Sequence, residues 1–106
     1  MKRMMLVTFM LLSLSLFARN DDKPQIQSLE VIVIDAQTDE PIPAAQVKIK
    51  HKKLQTFTDF EGLAKINNLA VGSYDIEISV VSYQSMELKD FQFSENNRYL
   101  VVKLKS

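Results

Sequence analysis

The chain has 106 residues, with 13 basic and 13 acidic side chains, one histidine, two glycines and no cysteine. That length accommodates one domain. The charge balance provides no general attraction to nucleic acid, and the missing thiol excludes disulfides and Cys/His nucleophilic chemistry.

Lys2 and Arg3 followed by the apolar run Met4 to Phe17 have the form of an export leader, with Ala18 as the expected last residue before cleavage. The run is shorter than the roughly 18 or more apolar residues of a membrane-spanning helix, and the polar stretch from Arg19 to Lys23 follows it. Removing Lys2 and Arg3 leaves more acidic than basic side chains. The expected division is leader 1–18, flexible linker 19–27 containing Pro24, and folded domain 28–106. A domain of that size can hold on its core without disulfide staples.

Leu29 to Ile34 reads as a strand with Leu29, Val31 and Val33 on one face and Ile32 and Ile34 on the other; both faces being apolar implies equally a strand covered on two sides or a surface that a partner covers. Asp35 to Pro43 reads as a turn region. Asp35 can bond its own backbone, Pro41 and Pro43 fix φ, and Ile42 between them can plug into what lies beneath. Gln46 to Lys50 alternates as a second strand with Val47 and Ile49 inward. His51, Lys52 and Lys53 make a basic corner, and Leu54 to Thr58 forms a third strand ended by Asp59-Phe60-Glu61-Gly62.

Leu63 to Ile66 is expected to be a strand and Asn67 to Ser73 a loop, because Asn67 and Asn68 interrupt the apolar pattern between two glycines. Tyr74, Ile76, Ile78 and Val80 alternate with polar residues in the strongest strand pattern of the chain, which should cross the centre of the core. After a turn at Ser82 to Gln84, Met86 and Leu88 have one parity and Phe91 and Phe93 the other. Burying all four requires a bulge near Lys89 and Asp90. Ser94 to Asn97 reads as a hairpin turn, and Tyr99 to Lys105 as a last strand with Leu100, Val102 and Leu104 inward. Seven short strands at this spacing predict an all-β, seven-stranded antiparallel Greek-key sandwich.

Catalytic chemistry has little to stand on. The lone His51 lies among Lys48, Lys50, Lys52 and Lys53, no Gly-x-Ser-x-Gly turn is present, and two glycines do not build a phosphate cradle. The lysine cluster reads first as protection of a sheet edge, with docking of an anionic partner as the competing role. Asp35, Asp39 and Glu40, and separately Asp59 and Glu61, supply hard oxygen ligands but match no calcium loop, so they are read as turn-stabilising carboxylates.

Val33-Ile34-Asp35 with Thr38, the run Glu40 to Val47, Thr58-Asp59-Phe60-Glu61-Gly62, Gly72-Ser73-Tyr74-Asp75-Ile76 and Ser82-Tyr83 together resemble the carboxypeptidase regulatory-like domain family. The resemblance runs from about Ser28 to the end of the chain and implies a transthyretin-like sandwich with no catalytic activity and no cofactor. Such domains stand beside carboxypeptidases, and they form N-terminal extensions of TonB-dependent transporters in the outer membrane of Gram-negative bacteria. The resemblance thus implies an accessory module in the periplasm or at the cell surface, with another envelope protein as partner and no stable membrane insertion. Ala44 and Ser82 stand where the family usually has glycine, as does Val31. If those glycines have φ > 0 in relatives, the corresponding turns here differ or carry strain.

Two functional readings follow. In the first, the module contacts a protein through a sheet edge or the Ile32/Ile34 face. In the second, loop aromatics (Phe60, Tyr83, Tyr99) stack on a glycan, a reading weakened by the lack of tryptophan.

Overall fold

The computed structural model describes residues 25–106, all of them strand, turn or irregular structure. The leader and most of the expected linker lie outside the described residues. Seven strands form: β1 (Ile26–Asp35), β2 (Gln46–Ile49), β3 (Leu54–Phe57), β4 (Leu63–Ala70), β5 (Gly72–Ser79), β6 (Met86–Phe93) and β7 (Tyr99–Leu104). They make a three-stranded sheet in the order β4-β1-β7 and a four-stranded sheet in the order β3-β2-β5-β6. The pairings are antiparallel except β1 with β7, which is parallel. This qualifies the antiparallel expectation. Alternation alone reports which face a residue takes and carries no information on the direction of its neighbour.

The core lies between the sheets. Leu29, Val31 and Val33 of β1, Val47 and Ile49 of β2, Tyr74, Ile76 and Ile78 of β5, and Val102 and Leu104 of β7 are buried in it, as their alternation requires. Each fully buried branched side chain contributes about 1.5–3 kcal/mol. β5 is an interior strand of its sheet, bonded to β2 and β6. Ile42 is 5 % exposed and plugs the core from the β1–β2 loop.

β1 begins at Ile26, two residues before the expected domain boundary, and pairs with Ala70. The loop expected at Asn67 to Ser73 does not form. β4 continues to Ala70, and only Val71 separates it from β5. Asn67 and Asn68 instead make a bulge in β4, where these two residues between Ile66 and Leu69 lie opposite the single Ser28 between Gln27 and Leu29, and Asn68 has φ 58°. The extra residue resets parity, so Ala64, Ile66 and Leu69 all face the core. The bulge expected at Lys89 and Asp90 does the same in β6. Tyr74 pairs with Phe91 but Ile76 with Leu88, and Asp90 has φ 59°.

Ala44 and Ser82 have φ 58° and 75°, so both carry strain in a region where glycine is at ease. A left-handed L-residue costs roughly 1–2 kcal/mol, and glycine's extra chain entropy returns about half of that. Ala44→Gly and Ser82→Gly are therefore each expected to raise stability by about 0.5–1 kcal/mol, read as a higher urea midpoint with unchanged m.

Candidate interaction surface

One row on the outer face of the β4-β1-β7 sheet is apolar across all three strands. Leu63, Ile32 and Val101 lie side by side in register, with Lys65, Glu30 and Tyr99 in the next row. Ile32 is 40 %, Val101 59 % and Tyr99 62 % exposed, and Arg98 stacks over the Tyr99 ring at 4.5 Å. Phe60, 92 % exposed, projects from the turn that leads into Leu63. Ile34 shares this outward face but is half-buried, bridged to Pro41 and flanked by Lys103. Of the two isoleucines Ile32 is the accessible member and Ile34 the half-buried one. Sequence reasoning missed Val101. Its signal was the unbroken apolar run Leu100-Val101-Val102, which places a valine on each face of an edge strand.

Tyr83 serves a different purpose. Its hydroxyl donates to Asp35 Oδ2 at 2.7 Å, and the ring packs against the core. Asp35 Oδ1 accepts the N–H groups of Gln37 and Thr38 at 2.7 and 3.1 Å. The Tyr83 hydroxyl, helped by those two N–H groups, holds the Asp35 carboxyl below its ordinary 3.8, and the same bond raises Tyr83. A depressed folded-state value stabilises the fold above pH ~4, and the contribution is lost as pH falls through that depressed value. Asp35→Asn is therefore expected to flatten the acid limb of stability, measured as a smaller drop in urea midpoint between pH 6 and pH 3 than in the parent chain. Asp59 Oδ1 likewise accepts the N–H groups of Glu61 and Leu63, so one carboxylate of each cluster, Asp35 and Asp59, caps its turn.

The three aromatics of the glycan reading do not converge. Tyr99 opens β7, while Tyr83 bonds Asp35, the partner of Leu104 at the far end of that strand, roughly 17 Å away at strand rise. Tyr83 is also not available to stack from its half-buried position.

The basic corner lines a shallow groove of about 540 Å³ formed by Lys48, His51, Lys52, Lys53, Leu54 and Gln55. Lys50 is paired with Glu87 at 2.6 Å, which raises its pKa, and Lys52 sits over the Tyr74 ring at 5.2 Å. These cations flank β3, an edge strand of four residues, in keeping with edge protection. His51, Ser73, Asp75 and Asp90 line a neighbouring groove, but the Ser73 hydroxyl donates directly to the Asp90 carboxylate and Asp75 Oδ1 accepts the Asp90 N–H. The serine is thus tied to a carboxylate that completes the β6 bulge.

A search of curated proteins finds no match. Among solved structures, the chain is similar to a chain of a type II cohesin–X-dockerin complex from Acetivibrio cellulolyticus, with TM-score 0.61 and 14 % identity over 74 % of this chain and 56 % of that one. It is also similar to fervidolysin from Fervidobacterium pennivorans, a keratinolytic enzyme related to subtilisin, with TM-score 0.67 and 15 % identity over 78 % of this chain and 17 % of that one. The major pilin subunit of Bacillus cereus aligns with TM-score 0.61 and 20 % identity over 78 % of this chain and 31 % of that one. The chain spans about half or less of each of these proteins, and at such identities the likeness is one of fold. A family model matches residues 32–106, from the exposed Ile32 through β7 to the last residue: the chain belongs to the CarboxypepD_reg-like domain family.

Proposed function

We propose that the chain is an exported, non-catalytic binding module that docks on another envelope protein through the outer face of the β4-β1-β7 sheet. A TonB-dependent transporter or a peptidase is the class of partner. The observation that carries the reading is the apolar row Leu63, Ile32 and Val101, in which Ile32 and Val101 are exposed and Leu63 half-buried, with exposed Tyr99 in the adjacent row and exposed Phe60 in the turn before Leu63. Contiguous apolar surface on a small domain marks contact sites, whereas isolated exposed apolar groups do not. Aromatic residues beside an arginine are also the composition of interface centres. The cohesin and pilin structures of similar fold come from protein assemblies, which fits a binding role.

Ile32→Asp combined with Val101→Asp tests this. Both side chains point to solvent, so the fold is expected to persist, shown by an unchanged amide spectrum. Capture of the partner by in-cell cross-linking is expected to fall about tenfold or more, since charging an interface centre costs about 2 kcal/mol or more. Unchanged capture by a folded double variant would refute the reading.

A further inference from the structure

Among the described residues four strands are sheet edges, namely β4 and β7 in one sheet and β3 and β6 in the other. Three of them are blunted. β4 and β6 each carry a bulge, and β3 has four residues preceded by Lys52 and Lys53. β7 carries no bulge and is not short; its only protection is charge, from Lys103 within it and Arg98 and Lys105 at its ends. It runs six residues in unbroken register against β1 and contains no proline. A regular, unpaired edge is a template for another strand, and its cations select the charge of that strand rather than prevent its pairing.

Backbone direction locates the template. Glu30 N–H donates to the Arg98 carbonyl and Ala36 N–H to the Leu104 carbonyl. Even-numbered carbonyls of β7 therefore turn toward β1, and the N–H and C=O groups of Tyr99, Val101 and Lys103 turn away from it. At Lys105 the site closes, because that carbonyl accepts the Gln84 N–H at 2.7 Å. The neighbouring apolar surface is also incomplete. Met86, Leu88 and Phe91 pair with the buried Ile78, Ile76 and Tyr74 and share their inward face, yet remain half-buried, as does Leu100 of β7. Three strands face four, and the shortfall falls beside the free edge of β7.

We infer that β7 accepts an added strand from a partner protein, an extended segment with alternating apolar residues and acidic flanks, bonded to Tyr99, Val101 and Lys103 and covering Met86, Leu88 and Phe91. The inference rests on the proposed binding role and names its edge and the partner's chemistry. Arg98, Lys103 and Lys105 lie along this strand with no acidic residue between them, and among the described residues only Lys103 of the three pairs with a carboxylate, Asp39 at 3.5 Å with both groups exposed. Carboxylates at the ends of the incoming segment complement these cations. A second copy paired through its own β7 would place three cations from each chain along one seam.

The test titrates a synthetic peptide of alternating valine and threonine with glutamates at both ends into the isotopically labelled chain, with a lysine-ended peptide as control. The expected result is that hydrogen exchange at the Tyr99, Val101 and Lys103 amides slows about tenfold or more. Methyl signals of Met86 and Leu88 shift, and the lysine-ended peptide binds about tenfold more weakly at low salt. Val101→Pro removes only an outward N–H, which an edge strand tolerates, and is expected to weaken binding about tenfold or more relative to Val101→Ala. If Val101→Pro disrupts the fold, exchange on the unaltered chain decides alone. Unslowed amides at saturating or millimolar peptide overturn the inference. So does slowing that grows with protein concentration before peptide is added, which makes a second copy the occupant. Loss of capture in the Ile32/Val101 double variant alongside unslowed edge amides would leave the binding role standing and remove the edge.

Discussion

Gly62→Ala is expected to destabilise the domain by about 3 kcal/mol or more, enough to unfold much of it at 37 °C, read as a fall in urea midpoint or failure to yield folded protein. Gly62 has φ 76°, and an added Cβ would stand 2.6 Å from the Val33 carbonyl oxygen, 3.0 Å from Pro41 Cβ and 3.3 Å from the Ile42 N. That carbonyl cannot retreat freely. It accepts the Ile42 N–H at 2.9 Å, while Val33 N–H donates to the Gly62 carbonyl at 2.8 Å. Relief of the clash would therefore loosen both bonds and the Ile42 plug together. The strain of a left-handed alanine adds roughly 1–2 kcal/mol to the clash itself. Little change in midpoint after Gly62→Ala would mean that the β3–β4 turn is not locked to β1 in this way.

Thr58→Val is expected to cost about 2–4 kcal/mol although it preserves shape and adds apolar surface. Thr58 is buried, and its hydroxyl donates to the Ile42 carbonyl at 2.6 Å and accepts the Ala45 N–H at 2.9 Å. Valine would leave both backbone groups buried without those partners, at about 1–3 kcal/mol each before relaxation. Thr58→Ser keeps the hydroxyl and should lose only a methyl's worth of packing, about 1 kcal/mol. The contrast between the two variants, measured by urea unfolding, isolates the hydrogen bonds from the packing. Equal losses would assign the effect to packing.

These two residues show how much of the architecture was legible from the amino acids. The turn chemistry around Asp35, Pro41, Ile42 and Pro43, the buried parity of Leu29, Val31 and Val33, and the bulge at Asp90 follow from period-two alternation and backbone preference, which are local properties. The strain at Ala44 and Ser82 was also accessible, because at these two of the three usual glycine positions φ turns positive, whereas Val31 is ordinary strand inside β1. Thr58 read as a strand end and as the first residue of the Thr58-to-Gly62 motif, with no partner for its hydroxyl. Its role depends on Ile42 and Ala45, which lie 16 and 13 positions earlier and meet it only in the folded chain. Asn67 and Asn68 read as a loop because two asparagines break alternation. In the fold the break is absorbed as one extra residue opposite Ser28, whose hydroxyl donates to Asn67 Oδ1 at 3.1 Å.

The candidate surface divides in the same way. Ile32 and Ile34 were recognisable as an apolar pair on one face from β1 alone, but the bridge from Ile34 to Pro41 and the continuation of the row through Val101 depend on what folds back beside β1. The parallel β1–β7 pairing brings Tyr99 and Val101 beside Glu30 and Ile32, and local pattern does not encode that pairing. Tyr83 looked like a free loop aromatic until its bond to Asp35, 48 residues away, placed it in the framework.

The binding role is tested most directly by a photo-cross-linking side chain placed at position 101 and, in a separate variant, at position 48, each expressed in the native cell. Val101 lies on the β4-β1-β7 outer face, and Lys48 lies exposed on the opposite sheet. The account predicts an adduct with one envelope protein from position 101 that is absent from position 48 and lost when Ile32 is changed to Asp. Equal adducts from both positions, or none from position 101 in a folded chain, would contradict it.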